Sequence, residues 1–473
     1  MKHFTQLILL LLLLCNIPIS VNAQLQSATT AYCITNENGQ IIAEKDKEKT
    51  LLPASITKLI TTATALEVLG KDFRFKTLLG YNGTLAPDGT LNGDLYIVGY
   101  GDPTLGSPNF SHTSSVLSTW TEAIKKHGIK HIHGNIIADD SYFDTEGASS
   151  QWLVEDIGNY YAAGAYGLNI YDNTYRLYLQ SDEIGSKVQV VRCDPPIEGL
   201  QWISYAQAAP NQKDSIYIQG APFQPIRYIY GTMPTHQTAF EVKGAIPDPP
   251  LFLASLLKKE LTAHQIKVTG KITTARILNE EQKWTKPETL TEIVQTTSPT
   301  LQEIIRIINW RSHNLYTEAL LRQLAVFKNK TTKGTRNAAT RMLMQYWEHK
   351  GIDTREQFMA DGCGLSRLNT LSPLFFTQVL NRMRTETDFT LFKNTIPIAG
   401  KEGTVAAFLK GTRLEGKVRA KSGSMHGVLC YAGYIYENNR SYTFAIMVNN
   451  HHATTRQVRK EIENILLKAI PQS

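Results

Sequence analysis

Three changes of rhythm in the apolar and polar positions divide this chain. The first stretch is an apolar run from Leu7 to Leu14, with Lys2 before it and Val21-Asn22-Ala23 after it, the build of a secretory signal peptide cleaved after Ala23. Cys15 closes the run, but Leu14 stands where a lipoprotein signal requires a small residue, so the pattern favours cleavage over lipid attachment. Residues 31–44 then flank the turn Asn36-Glu37-Asn38-Gly39 and predict a β-hairpin. Behind Pro53, the residues Leu59, Ile60, Ala63, Leu66 and Leu69 recur at helical spacing.

From Lys71 to about residue 245 a second rhythm holds. Short strands are punctuated by Asn82-Gly83, Asp88-Gly89, Asn92-Gly93 and Gly101-Asp102-Pro103, tyrosines are frequent, and few helices are predicted. The third rhythm opens with a helix over 249–265 and a strand over 266–272. Helices follow over 301–308, 314–326 and 335–350, with a polar break at 309–313. Strands over 418–422, 428–436 and 442–448 precede a closing helix over 455–470. Val458, Ile462, Ile465, Leu466 and Ala469 give that helix one apolar face, as seating on a sheet requires. An α/β framework at both ends thus encloses a β-rich block. No stretch after the leader has the roughly 18 uninterrupted apolar residues of a membrane span, so a soluble exported chain without a transmembrane anchor is expected.

Composition acts mainly by exclusion. The net charge of +7 is dispersed, with no Lys/Arg cluster of the kind nucleic-acid binders carry. Beyond the leader, Cys33, Cys193, Cys363 and Cys430 are scattered without a C-x-x-C pair. That suggests neither a zinc site nor a dense disulfide framework; free thiols are the default, and any pairing stays open. His313, His426 and His451-His452 lack ligand spacing with an acid or Cys, so neither metal nor cofactor is expected.

The candidate chemistry begins at Ser55-Ile56-Thr57-Lys58. A spacing of three puts hydroxyl and amine on one helical face, and Pro53 places Ser55 near the first turn, where free N–H groups favour an oxyanion. A second Ser-x-x-Lys, Ser255 to Lys258, lies inside an apolar helical run with no breaker before it and reads as ordinary helix. Ser312-His313-Asn314 falls at the break between two helices, and Lys421-Ser422-Gly423 at the end of a strand. Taken singly, the Ser-x-Asn reads as a helix cap and Lys421 as a solvated charge. Order and setting together make the set specific.

These motifs resemble those of the class C low-molecular-mass penicillin-binding proteins, which are D-alanyl-D-alanine carboxypeptidases and endopeptidases. The resemblance covers nearly the whole mature chain and includes Gly101-Asp102-Pro103-Thr104-Leu105, the run from Asp361 to Arg367, that from Ala399 to Thr404, and Val418-Arg419-Ala420. Ser55 and Ser312 lie more than twice as far apart as Ser312 and Lys421, as in a family that inserts two domains there; serine β-lactamases hold their first two motifs much closer. Ser422 replaces a usual Thr, and Cys363 a usual Ser. The resemblance implies a penicillin-binding, serine β-lactamase-like α/β/α sandwich with a mainly antiparallel sheet and two nested β-rich insertions. The implied division is 24–82 with 286–473 for the catalytic domain, 83–104 with 186–285 for one insertion, and 105–185 for the other.

The implied roles are a nucleophile at Ser55, a base at Lys58, a proton relay at Ser312, and an amide-binding group at Asn314 that also steadies Lys58. Lys421 supplies the cation and Ser422 a hydroxyl for a terminal carboxylate. Gly423 belongs to the substrate-binding strand, and backbone N–H groups of Ser55 and Ser424 form the oxyanion hole. Asp156 and Met425 resemble residues facing a diamino acid of the stem peptide. Peptidoglycan stem peptides are the expected substrate, β-lactams the expected covalent inhibitors, and the periplasm the expected location; the oligomeric state stays open. Two rivals are a β-lactamase, for which no deacylating acid is visible, and a catalytically silent peptidoglycan-binding protein, which the intact triplet of motifs disfavours.

Overall fold

The predicted hairpin forms one edge of a five-stranded antiparallel sheet. Thr29–Asn36 pairs with Ile41–Lys45 across a turn in which Gly39 takes φ +79°, and on its other side with Arg440–Asn449. Val428–Glu437 and Val418–Met425 complete the sheet. Strands from the two ends of the chain therefore share one ladder, which brings the Lys421 strand beside the turn that carries Ser55. This computed structural model describes residues 27–472 except 114, 211–213 and 329–333; the expected signal peptide lies outside the described residues.

Helices cover both faces of the sheet. On one, Thr455–Ala469 buries Val458, Ile462 and Leu466 against Phe444, Ile446 and Tyr431, the apolar stripe seen in the sequence. On the other, Thr57–Leu69 is buried continuously from Thr57 to Leu66, among Leu301–Arg311, Asn314–Lys328, Arg336–His349 and Pro373–Met383. A helix buried on all sides tolerates polar residues only if they are satisfied. Its threonines meet that condition: Thr62 and Thr64 donate to the Lys58 and Ile60 carbonyls, and Thr61 donates to the carbonyl of Gly362. Gly70 ends the helix at φ +81°.

A second five-stranded sheet, of mixed direction, runs in the order Ile272–Thr274, Ile136–Asp139, Leu95–Gly99, Lys76–Tyr81, Thr291–Thr297 and has its own core around Leu79, Ile97, Trp120, Ile136 and Leu253. Lys76–Tyr81 and Thr291–Thr297 lie in sequence outside 83–285, yet they hydrogen-bond within this sheet. The three strands Gln189–Asp194, Thr174–Ser181 and Gln237–Ala245 form a further antiparallel layer.

Several elements depart from the sequence reading. The β-rich block contains a helix, Val116–Lys126, whose Val116, Trp120 and Ile124 are one face at a spacing of four. The strand expected over 266–272 is broken into Lys267–Val268 and Ile272–Thr274, because Gly270 passes so close to Gly134 that a β-carbon would sit 2.1 Å from its carbonyl oxygen. Pro373–Met383 and Phe389–Thr395 are helices that the sequence pattern does not predict. The second Ser-x-x-Lys is ordinary helix: Ser255 donates to the Phe252 carbonyl and Lys258 to that of Gly270. Cys33, Cys193, Cys363 and Cys430 are free thiols, with Cys193 only half-buried.

Candidate active site

Ser55 sits in a single 3-10 turn, Ala54–Ile56, that feeds directly into the helix Thr57–Leu69. Ala54 takes φ +47°, a left-handed conformation that costs a non-glycine residue roughly 1–2 kcal/mol and persists where neighbours enforce it. Two glycines enforce it. A β-carbon on Gly364 would lie 2.0 Å from the Ala54 carbonyl oxygen, and one on Gly423 would lie 2.6 Å from that of Pro53. The turn is thereby clamped between the loop 361–367 and the strand Val418–Met425.

Three residues along from Ser55, the fully buried Lys58 donates from Nζ to Ser55 Oγ at 2.9 Å and to the Cys363 carbonyl at 2.5 Å. Burial pulls the ammonium below its ordinary range, opposed by the nearby Cys363, Asp361 and Glu318. On the other side of the cleft, the equally buried Lys421 donates to Ser312 Oγ at 2.9 Å and to the Ser422 carbonyl at 2.7 Å. Burial, and then the charge of Lys58, hold Lys421 well below the usual lysine range. Two hydroxyl–lysine pairs therefore face one site.

The loop that receives Lys58 is held by acids that the sequence did not single out for the site. Glu318 accepts the N–H groups of Gly362 and Cys363 on one oxygen and Arg336 Nε at 2.9 Å on the other. Asp361 accepts from Gly364, Asn369, Ser366 and the Trp152 indole. Glu318, Asp361 and Cys363 are close enough to suggest a metal cluster. Yet each of the four carboxylate oxygens already accepts an N–H, the chemistry of a clamped loop rather than an open ligand set. Glu318 follows Asn314 by one helical turn amid buried apolar neighbours, the sequence signal that could have flagged it.

The remaining candidates are placed less uniformly. Asn314 donates from Nδ2 to the Tyr161 carbonyl at 2.7 Å, while the bonds of Lys58 Nζ go to Ser55 and Cys363. Ser422 donates to Thr404 Oγ1 at 2.7 Å, which makes Thr404 a neighbour of the site. Gly423 is buried against the Ser55 turn, and Ser424 beside it is exposed. Asp156 is half-buried and accepts from the Tyr161 hydroxyl at 3.0 Å; burial raises its carboxyl, with the Tyr161 bond opposing. Met425 is partly buried against the main core at the end of its strand. Tyr161 thus joins Asp156 to Asn314 through its two ends.

Beside this site lies a cleft of about 570 Å³ lined by Ser312, His313 and Asn314 on one side and by Tyr160, Tyr161, Asp172 and Arg176 on the other. Among the described residues no helix is long and apolar enough to cross a membrane.

Residues 19–469 match the model of the D-Ala-D-Ala carboxypeptidase 3 (S13) family. Among curated relatives, a D-alanyl-D-alanine carboxypeptidase of Actinomadura sp. is 26% identical over 88% of this chain and 77% of its own length. The D-alanyl-D-alanine carboxypeptidase DacB of Haemophilus influenzae is 26% identical over 85% of this chain and 80% of its own. Among solved structures, penicillin binding protein 4 of Haemophilus influenzae superposes with a TM-score of 0.81 at 23% identity, covering 96% of this chain and 99% of that one, a likeness of fold. The chain belongs to the D-Ala-D-Ala carboxypeptidase 3 (S13) family, serine peptidases that are the class C low-molecular-mass penicillin-binding proteins.

Proposed function

We propose that this serine peptidase cleaves D-Ala-D-Ala ends of peptidoglycan stem peptides, D-Ala-diaminopimelate cross-links, or both, through an acyl-enzyme on Ser55. The observation that carries the reading is the 2.9 Å contact of Lys58 Nζ with Ser55 Oγ inside a buried, pKa-lowering pocket. Ser55 Oγ attacks the carbonyl of the penultimate D-alanine as its proton passes to Lys58, and the negative oxygen is held by backbone N–H groups of Ser55 and Ser424. Ser312, bonded to Lys421, relays to the departing amine the proton that Lys58 took up, regaining its own as the C–N bond breaks, which leaves an ester on Ser55 and Lys58 neutral again. Water then attacks the ester, and Ser55 recovers its proton as the acid leaves.

Lys421, Ser422 and Gly423 receive the terminal carboxylate, whose charge favours the protonated form of Lys421. Asn314 binds a substrate amide, and Asp156 and Met425 face a diamino acid side chain. β-Lactams acylate the same serine. Named relatives support this: the family is that of a D-Ala-D-Ala carboxypeptidase, and a solved Haemophilus influenzae homologue is described as complexed with a novel β-lactam. Export by residues 1–23 into the periplasm belongs to the reading. So does division into a catalytic domain and two insertions; the separate apolar cores support the boundary between the catalytic domain and the inserted residues, and both insertions share one core.

Intact mass after penicillin treatment tests the reading, with Ser55→Ala as control. A penicilloyl adduct on the wild-type chain alone, together with D-alanine released from a pentapeptide, is expected. No adduct and no release would sink it. Digestion of purified cross-linked muropeptides separates trimming from cross-link cleavage.

A further inference from the structure

His313 separates the two polar residues of the Ser-x-Asn loop, and its surroundings are built rather than incidental. Its Nε2 lies 3.4 Å from Asp172 Oδ2, and its ring stacks on Tyr316 at 3.8 Å between centroids. Asp172 is buried and accepts two further bonds, from the Tyr316 hydroxyl at 2.8 Å and from Asn109 Nδ2 at 3.1 Å. Ser107 meets the same Tyr316 hydroxyl at 2.6 Å, and Arg311 donates to Asn109 Oδ1 at 2.6 Å. Burial opposes the charge on Asp172, but His313, Ser107 and Tyr316 outweigh it and hold the carboxyl below its usual range.

Backbone geometry on both sides is strained. Tyr171, Asp172 and Asn173 are three consecutive left-handed residues at φ +54°, +56° and +52°. None is glycine, and such runs persist only when their surroundings over-determine them. Asn173 supplies that constraint: its side chain accepts the Ile170 N–H and donates to Gly164 and Asn169. Opposite, Ser312 is itself left-handed at φ +57° where the helix Leu301–Arg311 ends, and from that conformation its hydroxyl reaches Lys421.

We propose that Asp172, presented by the left-handed turn 171–173, is a positioning residue for the reaction. Through His313 it holds the Ser312–Asn314 loop in the conformation that sets Ser312 on Lys421. The inference rests on the reading that Ser312 takes part in acyl transfer at Ser55. It makes the segment between the first two motifs a working part of the site as well as a wall beside it.

The second-order rate of acylation by a fluorescent penicillin, measured beside thermal midpoints, tests this. Asp172→Asn and His313→Ala are each expected to slow acylation about tenfold, as small misplacements of reacting groups do. The double variant should be no slower than the slower single, and His313→Gln, which keeps a donor for Asp172, should recover most of the rate. The His313 variants should keep the wild-type thermal midpoint, so the test stands even if Asp172→Asn folds poorly. Wild-type rates in His313→Ala, or losses that add in the double variant and track the midpoint, would overturn the inference. A wild-type chain that takes no label would overturn the parent reading and this one with it.

Discussion

Gly423 lies so near Ser55 that a β-carbon on it would sit 2.8 Å from the Ser55 backbone nitrogen and 2.9 Å from that of Ile56. Those nitrogens belong to the backbone of the Ser55 turn, so relief cannot come from a side-chain rotation. Gly423→Ala should push the turn from the strand and lower the rate of acylation by about a hundredfold. Stopped-flow acylation with a fluorescent penicillin measures it. A rate within twofold of wild type would show that the turn yields freely.

The depressed Lys58 ammonium sets the sign of the pH dependence. A base must be deprotonated to accept the Ser55 proton, and burial makes the ammonium lose its proton below the ordinary lysine value of 10.5. Acylation should therefore rise with pH through an apparent pKa below 10.5 and fall again at higher pH, as the likewise depressed Lys421 loses the charge that receives the carboxylate. Lys58→Arg keeps the charge but cannot act as a base near neutrality, and should abolish acylation across the range. Rates from pH 5 to 10 decide; a profile without a rising limb over that span would contradict this role.

The proposed role of Asp156 predicts an effect on one class of substrate in particular. Its carboxyl must be ionised to attract an amine, and burial raises its pKa above 3.8 despite the Tyr161 bond. Asp156→Asn should cut kcat/KM about tenfold for a peptide with a free side-chain amine and leave one lacking it unchanged. The wild-type preference should fade as the pH drops through the raised value. Paired substrates at pH 4 and pH 7 supply the measurement.

Much of the site is legible in the sequence because its chemistry is local. Ser55 and Lys58 meet through a three-residue spacing, and Lys421, Ser422 and Gly423 are consecutive on one strand. Strand and helix periods likewise expose the terminal sheet and its covering helix. What stays hidden is made by long-range contact. Asp172 meets His313 only through a left-handed turn that its composition does not announce, and Cys363 contributes a carbonyl, which any residue carries. Asn314 reads as a partner for Lys58, yet its amide donates to Tyr161 from the β-rich block, whose arrangement no periodicity encodes. The helix Val116–Lys126 has a legible apolar face but stands among turn signals that argue for strands.

Glu318 couples stability to the site. It is fully buried, pairs with the buried Arg336 at 2.9 Å, and accepts the N–H groups of Gly362 and Cys363, whose loop offers Lys58 its carbonyl. Glu318→Ala would leave two buried amides without their acceptor and Arg336 with only the longer ion pair to Glu146 at 3.9 Å. Losses of this kind run to roughly 3–5 kcal/mol. Arg336 keeps its bonds to the Glu146 and Gly147 carbonyls, so the lower end of that range is expected. Glu318→Gln can still accept the two amides through its carbonyl oxygen, but turns an NH₂ toward Arg336. It should therefore lose stability while acylating faster than the alanine variant. Urea denaturation read beside acylation rates separates the two effects, and equal acylation by both variants would show that the loop holds its shape without this carboxylate.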